Sequence, residues 1–65
     1  MHEITVHQTY KENGEEGPKR LFVYVDGGII NTHVVHTLQD AVRIKENYES
    51  SLNKRFAFTY TKPNG

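Results

Sequence analysis

The sequence has no cysteine, no tryptophan, two prolines and no excess of charge of either sign. Without cysteine, neither a disulfide nor a thiolate-ligated zinc site can supplement the core. Eight Lys plus Arg balance eight Asp plus Glu. That balance removes the general basic field that drives nucleic-acid binding and equally the acidity of a DNA mimic. No apolar run approaches the roughly 20 residues of a membrane span. The N-terminal MHEITVHQ lacks the apolar stretch of a signal peptide, so a cytoplasmic location is expected. Apolar material is also short: 35% of 65 residues are hydrophobic, and a domain of this size buries only about 60% of its unfolded surface. One small domain over residues 1–62 with a frayed tail at 63–65 is expected, with stability that a partner or a second copy would raise.

The apolar residues fall in blocks. Ile4, Val6 and Tyr10 alternate with polar residues, the pattern of a half-buried strand. Lys11 to Lys19 holds Asn13-Gly14 and Gly17-Pro18 among Glu12, Glu15 and Glu16, and reads as a long, exposed, mobile acidic loop. Arg20 to Val25 is the run richest in β-branched and aromatic residues and predicts a central strand. Taking Gly27-Gly28 as a two-residue turn sets Val25 against Ile30, Val23 against Thr32 and Leu21 against Val34. Phe22, Tyr24, Asn31 and His33 then share the opposite face.

Thr37 is placed to cap a helix by accepting from the Asp40 N–H, with Asp40 favouring the positive end of the helix dipole. Leu38, Ala41, Ile44, Tyr48 and Leu52 recur at three and four residues as one stripe, widened by Val42. Lys45 lies within it and reads as a snorkelling stem. Ser50, Ser51 and Asn53 end the helix, and Lys54 to Thr61 predicts a final strand. The order β-β-β-α-β gives an α+β domain: a four-stranded, mostly antiparallel sheet with one helix on one face. Strand four lies beside strand one, or takes its place and pushes it to the edge.

Candidate chemistry is sparse. His33 and His36, three apart on a strand, point to opposite faces, and neither they nor His2 and His7 have the spacing of a metal pair, so polar strand residues are expected and no metal or cofactor. Ser50 and Ser51 lack a nucleophile elbow, and Asp26 reads as the residue entering a turn. An enzyme is not expected. Lys54-Arg55-Phe56-Ala57-Phe58-Thr59-Tyr60 is similar to the aromatic strand motif of RNA-recognition and cold-shock domains, with Arg55 where those families have Gly. That similarity implies single-stranded RNA or DNA binding through Phe56, Phe58 and Tyr60 with Lys54, Arg55 and Lys62. The alternative is that the three rings are the core face under the helix.

A wider resemblance rests on layout. The stretch Leu21 to Pro63, with a strand, turn and strand, the Thr37-Leu38-x-x-Ala41 helix opening, Tyr48 late in the helix, and a last aromatic strand ending in Lys62-Pro63, resembles the small bacteriophage inhibitors of host RNA polymerase. The resemblance implies a phage or mobile-element protein that docks on a host protein in the host cytoplasm, without catalysis. The surface expected to do so is the open sheet face with Phe22, Tyr24, His33 and Arg55, together with the acidic loop of Glu12, Glu15 and Glu16. Homodimerisation across that face or along an unpaired edge would bury the same residues.

Overall fold

The computed structural model describes residues 1–63; Asn64 and Gly65, the end of the expected tail, lie outside the described residues. Five elements follow the expected order: β1 (His2–Tyr10), β2 (Glu16–Val25), β3 (Gly28–Val35), α1 (Leu38–Leu52) and β4 (Ala57–Thr61). The sheet runs β3-β2-β1-β4. Pairs β1–β2 and β2–β3 are antiparallel and β1–β4 is parallel. β4 therefore lies beside β1, the first of the two expected arrangements. Because β3 and β4 point the same way at opposite edges, the chain between them must cross one face, and α1 makes that crossing.

The helix begins where its cap dictates. Thr37 is extended and its hydroxyl accepts from the Asp40 N–H at 3.1 Å. The helix ends at Asn53, which adopts the left-handed conformation (φ 53°, ψ 45°) and brings the Lys54 N–H to the Glu49 carbonyl at 3.3 Å.

The core is a single layer between sheet and helix. Ile4, Val6, Leu21 and Val23 are fully buried, Val35, Ala41 and Phe56 nearly so, and Val25, Ile44, Tyr48, Phe58 and Tyr60 pack around them. β1 and β2 contribute the centre because they are the two inner strands, each flanked on both sides. Leu38, Val42 and Leu52, at the margins of the helix stripe, remain 38–42% exposed.

Two expected turns differ. The β2–β3 turn is Asp26-Gly27, with Val25 opposite Gly28 and both turn residues at positive φ (53° and 85°), a primed hairpin turn. The ladder then slips at Ile30, so Val23 faces Asn31, Leu21 faces His33 and Lys19 faces Val35. The expected register set Leu21 against Val34. A shift of one residue exchanges faces, so His33 turns to the helix side, Val35 enters the core, and Val34 stands on the open face at 63% exposure.

The expected loop from Lys11 to Lys19 is shorter: residues 16–19 already belong to β2, and the turn itself spans residues 11–15. β1 and β2 pair out to Tyr10 and Glu16, past a register shift between Gln8 and Tyr10. The turn closes tightly, with the Lys11 N–H donating to Glu15 O at 2.8 Å and the Glu15 N–H donating to Asn13 Oδ1 at 3.0 Å. Gly17 is needed there, because a Cβ would stand 2.9 Å from Thr9 Oγ1. β3 reaches only to Lys19 and β4 only to His7, so the hairpin projects beyond its neighbours as a two-stranded ribbon. Its root is held by Gln8, a buried polar side chain whose amide donates to Gly17 O at 2.8 Å and Thr9 O at 3.0 Å and accepts from the Tyr60 hydroxyl at 3.0 Å.

Candidate functional site

Alternation along β2 sends Arg20, Phe22 and Tyr24 to the side away from the helix, because Leu21 and Val23 occupy the core side. Register adds their neighbours: Thr5 and Thr32 flank Phe22, Glu3 and Ile29 flank Tyr24, and His7 and Val34 flank Arg20. Phe22 and Tyr24 are half-buried, whereas Ile29 and Val34 are more than half exposed. The His7 ring meets Phe22 edge-on at 5.4 Å. A shallow depression of about 170 Å³ lies along β2 and β3 between Arg20, Phe22, Thr32 and Val34.

Beneath this face Thr5 Oγ1 is buried and has no hydrogen-bond partner among the described residues. Replacing Thr5 by Val removes the hydroxyl at nearly constant shape on a strand that favours β-branched residues. Thr5→Val is expected to raise unfolding free energy by about 1 kcal/mol in urea titration; a loss of stability would show that the hydroxyl is satisfied.

The expected docking residues do not form one surface. Phe22 and Tyr24 lie on the open face. His33 does not: it packs under the helix, edge-on to Tyr48 with ring centres 6.1 Å apart and its Nε2 3.3 Å from the Tyr48 hydroxyl, which also accepts from Asn31 Nδ2 at 2.9 Å. Arg55 is likewise away from the face, beside Lys45, Glu49 and Lys54 at the helix C-terminus. Glu12 and Glu15 lie in the ribbon tip, and Glu16 follows at the start of β2, six residues from Phe22, or about 20 Å at strand rise. Glu16 is also engaged by Lys62 at 2.7 Å, which holds its carboxyl below the ordinary range and raises the Lys62 ammonium.

The aromatic motif is placed on the helix side. Phe56 precedes β4 and is buried between His2 and Tyr48, at 5.1 Å and 6.1 Å between ring centres. Phe58 and Tyr60 face the core beside Ile4 and Val6. None of the three offers a free ring face on the open side, while Lys54 and Arg55 are exposed and Lys62 is paired with Glu16. Among the described residues no three His, Asp or Glu side chains converge as a metal site, and no helix is long and apolar enough to cross a membrane. Ser50 and Ser51 are exposed on the helix, and Asp26 is a turn residue 3.7 Å from the N-terminal ammonium.

Sequence reading missed the residues that complete the open face, Ile29 and Val34: the slip at Ile30 moves Val34 across the sheet, and the turn at Asp26-Gly27 brings Ile29 opposite Tyr24 rather than Asp26. It also missed Glu49. This carboxylate accepts the Phe56 N–H at 3.0 Å and meets Lys45 at 3.4 Å, closing the helix onto the start of β4. Chiefly the Phe56 N–H, and then Lys45, hold its pKa below the ordinary 4.5. A depressed folded-state pKa contributes stability that is present above the unfolded value and lost as pH falls through the folded one. Glu49→Gln is therefore expected to flatten the fall in stability below about pH 4.5, read as denaturation midpoints across an acid series. An unchanged acid limb would show that the Phe56 contact does not select the ionised form.

No family model, curated protein or solved structure matches this chain.

Proposed function

We propose that this chain is a small non-enzymatic module that docks on a partner protein through its open sheet face, with Phe22 and Tyr24 of β2 at the centre and Ile29 and Val34 of β3 beside them. The observation that carries this reading is the meeting of two aromatic and two β-branched side chains on a face that no other element among the described residues covers, in a chain where 25% of residues are charged. Aromatic anchors bordered by charge, here Glu3 and Arg20, are the composition of an interface centre and rim. The resemblance in layout to phage inhibitors gives the proposal its form, a phage or mobile-element protein that modulates a host protein by occupying its surface. The ribbon tip with Glu12 and Glu15 is a second, separate contact on that reading.

The test is capture of partners from an extract of the source cell on immobilised protein, followed by titration of the captured partner. Tyr24→Ala and Phe22→Ala are each expected to weaken binding by about 2 kcal/mol, roughly thirtyfold, with far-UV circular dichroism unchanged. Unchanged affinity in both folded variants would remove the face from the interaction.

A further inference from the structure

The two edges of the sheet differ in how they are protected. β4 is five residues long and is bracketed by Lys54 and Arg55 before it and by Lys62-Pro63 after it, the charges and proline that keep an edge from pairing. β3 is eight residues, Gly28–Val35, contains no Lys, Arg, Asp, Glu or Pro, and exposes Ile29, Ile30 and Val34 by 53–63%. Nothing in β3 repels an added strand.

The sequence of β3 also reads alike in both directions. About Thr32 as centre, Asn31 mirrors His33, Ile30 mirrors Val34 and Ile29 mirrors Val35: two β-branched aliphatics, a polar residue, threonine, a polar residue, two β-branched aliphatics. We infer that β3 is a self-pairing edge, and that two copies of this chain join antiparallel about a two-fold axis at Thr32 to make one eight-stranded sheet.

The faces support the register. With the axis perpendicular to the sheet, Thr32 meets Thr32 of the second copy on the open side and Asn31 meets His33 on the helix side, threonine with threonine and polar with polar. The bulge at Ile30 places Ile29 on the face of Tyr24, so Val34 of the second copy comes beside an aliphatic residue there. An arbitrary partner strand has no reason to match this mirrored order, and an uncharged strand can meet its own copy without opposing like charges. The Thr32 N–H is met within its own chain by a side chain, the neighbouring Asn31 Oδ1 at 2.9 Å, and exchanges that contact for a backbone carbonyl on pairing. On the helix side, a groove of about 200 Å³ lined by Ile30, Asn47, Tyr48, Ser51 and Leu52 lies along the same edge and offers apolar surface to the added strand.

This pairing uses the edge and is independent of docking through the face. Sedimentation equilibrium of the full chain from low micromolar to submillimolar concentration is expected to show a monomer–dimer equilibrium. Thr32→Pro removes the N–H at the axis, and Thr32→Lys opposes two cations there; each is expected to raise the dimer dissociation constant by about tenfold or more. Thr61→Lys on the β4 edge and Tyr24→Ala on the face leave it unchanged. If Thr32→Pro fails to fold, Thr32→Lys and the concentration-dependent slowing of amide exchange in wild-type β3 carry the test. A monomer throughout, a dimer indifferent to the folded Thr32 variants, or one lost in Tyr24→Ala instead would overturn the inference.

Discussion

Ile4→Ala is expected to remove a large fraction of the stability of the whole protein. Ile4 is fully buried in the central strand, opposite Val23 on one side and Phe58 on the other, so the cavity it leaves is walled by three strands that cannot close independently. Such truncations cost about 2–5 kcal/mol. At roughly 0.05–0.15 kcal/mol per residue, the whole domain has about 3–10 kcal/mol to lose. Among the described residues four large side chains are fully buried, Ile4, Leu21, Val6 and Val23, and no second layer of core stands behind them to compensate. Leu52→Ala, at 42% exposure on the helix margin, is the matching control, with an expected cost below about 1 kcal/mol. Urea denaturation followed by circular dichroism separates the two. A folded Ile4→Ala protein losing less than about 1 kcal/mol would show that the sheet centre is not where the stability resides.

Gln8→Ala is expected to have the next largest effect and a different character. The Gln8 side chain is 3% exposed and serves three groups at once, the carbonyls of Thr9 and Gly17 and the hydroxyl of Tyr60. Removing it strands those partners, at about 1–3 kcal/mol for each group left buried and unpaired. Tyr60→Phe removes one bond and leaves the other two, so it is expected to cost less, and the double variant is expected to cost less than the sum of the singles. The loss should be felt first in the projecting ribbon. Amides from Tyr10 to Gly17 have no third strand paired beside them, and their exchange should accelerate more than that of Ile4 or Val23. Equal acceleration throughout the sheet would mean that Gln8 supports the fold globally rather than fastening the ribbon.

Much of this architecture was legible residue by residue. The Thr37 cap, the helix that follows it and the alternation of β1 and β2 depend on contacts within a few residues, and those are written in sequence spacing. The turn after β2 was not, because Asp26-Gly27 and Gly27-Gly28 are both suited to positive φ and differ by one residue. That difference alone moves the pairing by two residues and keeps the faces; the bulge at Ile30 takes the net shift to one, which puts His33 under the helix and Val34 in the open. The acidic segment misled for a related reason. Gly17 and Pro18 are turn residues taken alone, yet β1 offers a partner for that stretch, with Gln8 holding the Gly17 carbonyl and Gly17 fitting where a side chain would strike Thr9. The three rings around β4 could have faced either way until strand order was fixed, because an alternating pattern states that one face is apolar without stating which element covers it.

The sequence by itself determined the α+β class, the order β-β-β-α-β, the helix start, and the absence of disulfide or thiolate support, all of which follow from local propensity or composition. Only the tertiary structure decided that β1 is an inner strand with β4 parallel beside it, that Phe56, Phe58 and Tyr60 belong to the helix side, and that Ile29 and Val34 join Phe22 and Tyr24 in the open. Those outcomes rest on pairings between residues far apart in the chain, where a shift of one position changes no local preference and reverses which side chains meet water.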